Sequence, residues 1–340
     1  MRARLVVLVG LVLVAALALF AWRSLEQMVV SPGPHAAPVN ITVRAGTSLR
    51  AVLNDLAAHG ALRSARAVEL YLRLHRRAVH VQAGEYQIEA RATPAAILEQ
   101  LATGRVVLQS VTIVEGWTFA DMRRALEAHA TLVQSLRGRS DAQVMALLGH
   151  PGEAPEGRFF PDTYRFAAGT SDREVLSLAY HQMQEVLASA WSAKAPDLPL
   201  HTPYEALTLA SIVEKETARP DERPQIAGVF IARLRLGMRL QSDPTVIYGL
   251  GSRYDGNIHE RDLREDTPYN SYTREGLPPT PIALPSREAV WAVVQPNESG
   301  ALYFVASGEG DGSHHFSKTL EEHNAAVQRF LARLRAAGHT

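Results

Sequence analysis

The chain of 340 residues is long enough for more than one domain, and 46% of its residues are hydrophobic, which is enough to build real cores. Its 35 basic and 35 acidic residues leave no formal net charge, so the composition gives no support for a nucleic-acid partner. The chain has no cysteine, which excludes disulfides, cysteine-ligated zinc and thiol catalysis.

The N-terminus has the pattern of a membrane anchor. Arg2 and Arg4 precede an uncharged run from Leu5 to Trp22, and Arg23 ends it. The 18 residues of this run, at 1.5 Å each, would nearly cross a hydrocarbon layer of about 30 Å. The basic tail favours the cytoplasm for the residues before the run and the outside for the residues after it.

A cleaved signal peptide is the rival interpretation of this run, since Ala16-Leu17-Ala18 weakly resembles a cleavage site. The run is long for a signal core, and its apolar character continues past that site. We therefore predict a cytoplasmic tail over residues 1–4 and a transmembrane helix over 5–23. A linker over 24–39 follows, because Ser31–Pro38 is rich in proline.

Residues 40–104 have the pattern of a small α+β module. Short strands and capped helices alternate there, and glycines end two of the helices. The predicted elements are a strand at 40–43, a helix from Thr47 or Ser48 to Gly60, a helix at 64–75, a strand at 84–88 and a helix from Thr93 to Gly104.

Residues 105–340 form a predicted larger α+β domain, whose motifs are densest over 202–330. Its predicted elements are strands at 107–108, 111–114, 303–306 and 314–316, and helices ending at Thr217 and covering 222–236, 287–294 and 319–337. The aromatic segment 157–166 could stack on sugars, although aromatic side chains in such a segment more often belong to a core.

The helix that ends in Ala210–Thr217 carries the most informative chemistry. At 100° per residue, Glu216 lies over the apolar side chains Leu209, Ile212 and Val213, whereas Glu214 falls nearer a polar stripe that contains Thr208 and Ser211. A carboxyl held against apolar groups has a raised pKa and can serve as a general acid near neutral pH. The alternative is that Glu216 reaches to water at the rim or pairs with Arg219.

Other chemistries find little support in the sequence. His314 and His315 are adjacent on a predicted strand and would point to opposite faces, and no other spacing suits a metal, so we predict neither metal nor cofactor. No Gly-x-Ser-x-Gly elbow or phosphate-binding glycine loop is present. Asp243 before Pro244 is either a second acid or a turn residue where a strand begins. A single proton donor would suit carbohydrate cleavage in which the substrate supplies its own nucleophile.

Several long motifs occur in order and are similar to those of one known family. They are Ala210–Thr217, Gly237–Gly249, Gly276–Pro279, Leu302–Ala306 and the segment from His314 to Asn324. Together they resemble the MltG (YceG-like) endolytic murein transglycosylases, and the resemblance covers nearly the whole chain. Ser242 and Ser271 are small departures from the pattern, and none falls within the Glu216 motif.

The resemblance implies a bitopic protein of the bacterial inner membrane with its body in the periplasm. Residues 40–104 would be a LysM-like subdomain that contacts glycan. The larger domain would cleave the β-1,4 bond between N-acetylmuramic acid and N-acetylglucosamine in nascent strands, leaving a 1,6-anhydro end and helping to end strand elongation. Partners would be glycan strands, the membrane and peptidoglycan synthases.

The resemblance also implies site residues. The acid of the family matches Glu216, which the helical spacing selects independently. Glu214 is expected to support the site or to contact substrate. The other polar residues of the matching motifs are expected either to bind sugar groups or to cap turns: Gln241, Asp243, Tyr248, Asn270, Tyr272, His314 and Asn324.

Two other functions remain open from the sequence. A hydrolytic muramidase would need an ordered water and a base, for which Asp243 is the candidate. A non-catalytic, membrane-anchored glycan-binding scaffold would need only the anchor and the small module.

Overall fold

A computed structural model describes residues 2–44, 46–336 and 338 of the chain. Within these residues the fold is α+β, as predicted, with many helices and three two-stranded sheets. The chain divides into two compact units. Unit 1 comprises Met1–Ser110, Thr131–Val133 and Arg165–Thr170, and unit 2 comprises Val111–Ala130, Gln134–Tyr164 and Ser171–Thr340.

Unit 1 begins with a long helix and continues as a small module of strands and helices. Its elements are α1 (Arg2–Val30), β1 (Val39–Val43), α2 (Leu49–Ala58), α3 (Ala65–Leu74), β2 (Gly84–Ile88), α4 (Pro94–Thr103) and the start of β3 (Leu108–Thr112). Strand β1 runs antiparallel to β2, with Val39 opposite Ile88. Tyr86 and Leu56 are fully buried in the core of this module. A LysM-like role for it stays a prediction.

Helix α1 is longer than the predicted anchor. It continues past Arg23 to Val30, so the first part of the predicted linker 24–39 is helical, because Met28 and Val29 pack on the module rather than facing water. The part from Val6 to Val30 is long and apolar enough to cross a membrane. Arg2–Arg4 of the predicted tail belong to the helix, and Met1 lies outside the described residues.

Unit 2 contains the remaining elements. They are α5 (Phe119–Ala128), α6 (Asp141–Leu147), part of β4 (Thr163–Ala167), α7 (Asp172–Ser192), α8 (Pro203–Glu216), α9 (Arg223–Arg235), α10 (Asp243–Leu250), α11 (Glu260–Arg264), α12 (Arg287–Val294), β5 (Tyr303–Ala306), β6 (His314–Ser317) and α13 (Leu320–Ala336). Strands β3 and β4 form one sheet, and β5 pairs antiparallel with β6. The last residue of the predicted final helix, Ala337, lies outside the described residues.

Helix α8 is the centre of the unit 2 core. Helices α7, α9 and α12 pack around it, and every residue from Ala206 to Val213 is buried. The predicted polar stripe is therefore wrong, because Thr208 and Ser211 are buried as well. The Thr208 hydroxyl donates to the Tyr204 carbonyl, and the Ser211 hydroxyl donates to the Thr208 carbonyl. Hydroxyls satisfied within the helix in this way can be enclosed on all sides.

The aromatic segment 157–166 belongs to the interior of its surroundings. Phe159 is fully buried and stacks on Phe119 at 5.1 Å between ring centroids, and Phe160 and Tyr164 are each only 7% exposed. These rings are core side chains and are closed to sugar stacking, which agrees with the interpretation that the sequence favours.

Candidate active site

Glu216 is the last residue of α8 and is partly buried against the unit 2 core. One carboxylate oxygen accepts a hydrogen bond from the Ser242 hydroxyl. Burial raises the pKa of Glu216 from its ordinary value to about 7, and the charge of Asp243 adds to the rise. The Ser242 hydrogen bond and the Arg233 charge act in the opposite direction, since both favour the carboxylate. Glu216 is thus protonated in a large fraction of molecules at neutral pH.

The alternative pairing of Glu216 with Arg219 is wrong. The Arg219 guanidinium lies 2.8 Å from the Asp221 carboxylate and 3.0 Å from that of Asp311. Arg219 is therefore paired with two exposed aspartates and not with Glu216. The hydrogen-bond partner of Glu216 is the neutral Ser242 hydroxyl.

A buried group of hydroxyls fixes the position of Ser242. The Ser242 amide donates to the Ser271 hydroxyl at 2.9 Å, and the Thr245 hydroxyl donates to the Ser242 carbonyl at 2.6 Å. The Thr245 and Ser271 hydroxyl oxygens are 2.8 Å apart, and all three residues are at most 4% exposed. Because these neighbours hold its backbone, Ser242 can present its hydroxyl to Glu216 in one place.

Asp243 begins a helix rather than a strand. It is the first residue of α10, with Pro244 in the first turn, and its side chain is exposed. The Tyr272 hydroxyl donates to the Asp243 carboxylate at 2.6 Å. Burial, and then this carboxylate, raises the pKa of Tyr272, so the phenol stays protonated and keeps donating. Asp243 and Tyr272 thus form a pair beside the residue that contacts the acid.

Gln241 lies just before this group in a left-handed backbone conformation, with φ of 52°. Few residues other than glycine adopt this conformation, and its strain is characteristic of functional segments. The Gln241 amide donates to the Ser271 carbonyl at 3.1 Å, and its side chain is exposed. The Gln241 side-chain oxygen accepts a hydrogen bond from Arg233 at 3.5 Å, and a contact of Gln241 with substrate stays a prediction.

Arg233 of α9 forms hydrogen bonds with the segment that precedes Ser242. Its buried guanidinium donates to the carbonyls of Leu240 and Leu302, at 2.7 Å each. Burial lowers the pKa of Arg233, although not enough to remove its charge, and that charge favours the carboxylate form of Glu216. The sequence reasoning missed Arg233 as a member of the site.

Glu214 has a structural role, which is one of the two roles expected for it, and a contact with substrate stays a prediction. Its side chain is only 5% exposed and lies 2.9 Å from the guanidinium of Arg223, which is 7% exposed. Glu214 also accepts hydrogen bonds from the amide and hydroxyl of Ser286, the N-cap of α12. One carboxylate therefore joins the end of α8 to the starts of α9 and α12.

Asn270 and Tyr248 are also occupied by the protein itself. The buried Asn270 amide donates to the carbonyls of Asp262, Leu263 and Glu265, and its oxygen accepts from the Tyr272 amide. The Tyr248 hydroxyl donates to the Glu156 carboxylate at 3.0 Å. Both side chains are engaged within the protein, and a sugar contact by either residue stays a prediction.

Glu156 is a second buried carboxyl that the sequence reasoning missed. It is 7% exposed, and it accepts hydrogen bonds from the Phe119 amide at 2.9 Å and from Tyr248. Burial raises the pKa of Glu156 to about 7, against the effect of these hydrogen bonds. No sequence pattern marks it, because its partners come from distant parts of the chain.

His314 and Asn324 have different surroundings. His314 makes two contacts with the Glu222 carboxylate. Its backbone amide donates to one oxygen at 2.9 Å, and its Nδ1 lies 2.7 Å from the other. Asn324 lies exposed on α13. The glutamate orients the His314 ring, and a sugar contact by either residue stays a prediction.

An open cleft of about 680 Å³ borders the acid. Glu214 and Glu216 are the predicted site residues that line it, together with Lys215, Glu115 and Arg223. The remaining lining residues are Thr112, Ile113, Val114, Gly116, Pro161, Asp162, Thr163, Thr217 and Ala218. Among the described residues no three His, Asp or Glu side chains form a metal-holding group. The arrangement places the half-buried carboxyl group of Glu216 at a polar cleft that Glu115, Asp162 and Glu214 also line.

Comparison with known proteins identifies the family. The model of the YceG-like family matches residues 41–329. An endolytic murein transglycosylase of Bacillus subtilis is 29% identical over 313 residues, covering 86% of this chain and 85% of that protein. One of Streptococcus pneumoniae is 27% identical over 322 residues, covering 85% of this chain but 58% of that protein.

A solved structure agrees with these matches. A yceG-like protein from Listeria monocytogenes superimposes with a TM-score of 0.54 at 27% sequence identity, covering 85% of this chain and 99% of that one. The residues that match the family model include helix α8, the hydrogen-bonded residues Ser242, Thr245 and Ser271, and the residues that line the cleft. This chain therefore belongs to the YceG-like family.

Proposed function

We propose that this chain is a lyase that cleaves the β-1,4 bond between N-acetylmuramic acid and N-acetylglucosamine within nascent peptidoglycan strands, leaving a 1,6-anhydromuramyl end and so helping to end strand elongation. The observation that carries the proposal is Glu216, a carboxyl whose pKa is raised to about 7 beside an open cleft. The relatives named endolytic murein transglycosylases support murein as the substrate and transglycosylase activity as the reaction class.

In the proposed step, Glu216 gives its proton to the glycosidic oxygen, and the bond from that oxygen to C1 of the muramyl sugar breaks. The muramyl C6 hydroxyl oxygen forms a new bond to C1, and its proton passes to the Glu216 carboxylate. The N-acetylglucosamine side leaves with a free hydroxyl, and the acid returns to its starting form. No water is consumed, and no second carboxylate is needed.

The electrostatics of the site suit a residue with both roles. A pKa close to the working pH lets one carboxyl donate a proton and then accept one with little driving force lost in either direction. An attacking hydroxyl in the same molecule has a large effective concentration, which offsets the missing protein nucleophile. Ser242 can donate to the carboxylate after the first transfer and accept from the acid before it.

The proposed setting follows from the anchor. Helix α1 would hold the protein in the cytoplasmic membrane as a single-pass protein, with the body on the outer, periplasmic side where nascent strands lie. The module of residues 40–104 would contact glycan as a LysM-like subdomain. Peptidoglycan synthases are the proposed protein partners, since they make the strand that would be cut.

The test is a digest of uncrosslinked glycan strands by the full chain in detergent, followed by mass spectrometry of the new ends. We expect internal cleavage that yields anhydromuramyl ends, each lighter by one water than a reducing end. Reducing ends would contradict the proposal and would identify a hydrolase, with Asp243 as the first candidate for its base. Absence of cleavage would also contradict it and would favour a non-catalytic scaffold.

The activity should depend on pH through Glu216. Since the free enzyme must be protonated to act as an acid, kcat/KM is expected to fall about tenfold per pH unit above about 7. If Glu216 had its ordinary pKa, the decline in kcat/KM would begin more than two pH units lower. The measurement is the initial rate of end formation from pH 5 to 9 at low substrate concentration, about the range over which such a group titrates.

Two variants assign this decline to the acid. Ser242→Ala removes a hydrogen bond that favours the carboxylate, so the decline should move to higher pH, whereas Ser242→Thr keeps a hydroxyl and should leave it in place. Glu156→Gln removes the other carboxyl with a pKa near 7 and should also leave it in place. A decline that disappears in Glu156→Gln would assign the pH dependence to Glu156 and overturn the prediction.

A further inference from the structure

The end of the uncharged run on α1 indicates where unit 1 would meet the membrane surface. The run from Leu5 to Trp22 is about 27 Å long at 1.5 Å per residue, close to the thickness of a hydrocarbon core. If α1 spans the membrane, as proposed above, Trp22 and Arg23 lie at the outer headgroups. Trp22 is 42% exposed, and tryptophan is typical of this interface.

Helix α3 runs back toward this level. Its C-cap, His75, lies 2.8 Å from the Glu26 carboxylate and 5.2 Å, between ring centroids, from Trp22. The other end of α3 lies beside the residues that follow α1, since Arg63 and Ser64 line a small cavity with Met28 and Ser31–Pro34. Helix α3 is therefore antiparallel to α1, and its C-terminal end lies level with Trp22.

The C-terminal end of α3 exposes both basic and apolar side chains. Leu74 is 49% exposed, and Arg73, Arg76 and Arg77 are exposed around it. Arg73 pairs with Glu69 at 2.7 Å, while Arg76 and Arg77 have no ion pair within the described part of the chain. Residues 63–80 contain five arginines and a single acidic residue. We call Leu74 with Arg73, Arg76 and Arg77 the α3 tip.

We propose that the α3 tip rests on the outer surface of the bilayer that α1 crosses, and that it binds anionic phospholipid headgroups there. Leu74 would enter the boundary between headgroups and acyl chains, while the arginines beside it contact lipid phosphates. Long arginine side chains can hold their charge at the headgroups while their stems lie along apolar surface. The module of unit 1 would then have a fixed height and tilt above the membrane.

The absence of cysteine makes a site-specific test direct, because one introduced cysteine is the only labelling position. The full chain is reconstituted into vesicles of equal parts phosphatidylglycerol and phosphatidylcholine and labelled with an environment-sensitive fluorophore at Leu74→Cys. Arg63→Cys is the matched control, since it is exposed at the other end of α3, about 15 Å away. Val14→Cys, exposed in the middle of α1, reports whether the anchor itself is inserted.

We expect a blue-shifted emission and quenching by spin-labelled lipid at positions 74 and 14, but not at position 63. Combining Arg76→Glu with Arg77→Glu should abolish the quenching at position 74 and leave position 14 unchanged. Position 74 in water with position 14 in lipid would overturn the α3 tip proposal while leaving the anchor intact. Both positions in water would overturn the anchor, and the α3 tip proposal with it.

Discussion

Replacing Glu216 with Gln is expected to reduce kcat/KM for glycan cleavage by about 10²–10⁴-fold, the usual contribution of a general acid. Glutamine has the same size and can still accept the Ser242 hydrogen bond, but it cannot protonate a glycosidic oxygen. Substrate binding should change little, so the loss should fall on kcat. The measurement is the initial rate of anhydro-end formation by the variant and the wild type side by side.

The same variant provides its own control for folding. The folded-state pKa of Glu216, about 7, is above its ordinary value, so the wild type loses stability as the pH rises from about 4.5 to 7. Glu216→Gln removes this loss, and we expect the variant to be more stable than the wild type at pH 8, by up to about 3 kcal/mol, but not at pH 4. Near-normal turnover in a folded variant would reject Glu216 as the acid.

Replacing Glu214 with Ala is expected to lower the free energy of unfolding of unit 2 by about 3–5 kcal/mol. The change leaves the buried Arg223 charge without its partner at 2.9 Å, and it removes both hydrogen bonds to Ser286 at the start of α12. Urea unfolding followed by tryptophan fluorescence measures this loss, because three of the four tryptophans, Trp117, Trp191 and Trp291, belong to unit 2.

An exposed pair of the same chemistry provides the comparison. Glu260 and Arg264 form an ion pair on α11 in which both side chains are 76% exposed, so Glu260→Ala should cost little or nothing. Equal losses in the two variants would contradict a structural role for Glu214. A Glu214→Gln variant with unchanged stability and a raised KM would instead identify Glu214 as a substrate contact.

Local signals in the sequence predicted much of the secondary structure. Helix α12 and strands β2 and β5 have the predicted bounds, and local signals mark the starts of two of them, Ser286 as the N-cap of α12 and Gly84 as the first residue of β2. Glu216 was predicted to have a raised pKa from its apolar neighbours along α8. The pKa is raised, and burial is its main cause, although the residues of α8 from Ala206 to Val213 are buried on every face rather than on one apolar face.

The errors come from contacts between distant segments. Thr245-Val246-Ile247-Tyr248 has strand propensity, but Pro244 in the first turn and packing on α8 make α10 a helix. Glu214 could be assigned to the interior only once Arg223 and Ser286 were placed beside it.

The enclosure of α8 has a consequence for which molecule moves in the proposed reaction, the protein or the glycan. Glu216 extends from a helix whose residues 206–213 are all buried, and two further buried hydroxyls hold the backbone of Ser242, whose own hydroxyl contacts Glu216. A general acid mounted in this way cannot follow a reacting bond. In the proposed reaction the sugar ring would instead pucker and carry its C6 oxygen across to C1, so the flexibility that this reaction needs would belong to the polysaccharide. Inhibitors that mimic the puckered ring should therefore fit an active site that is already in its final shape.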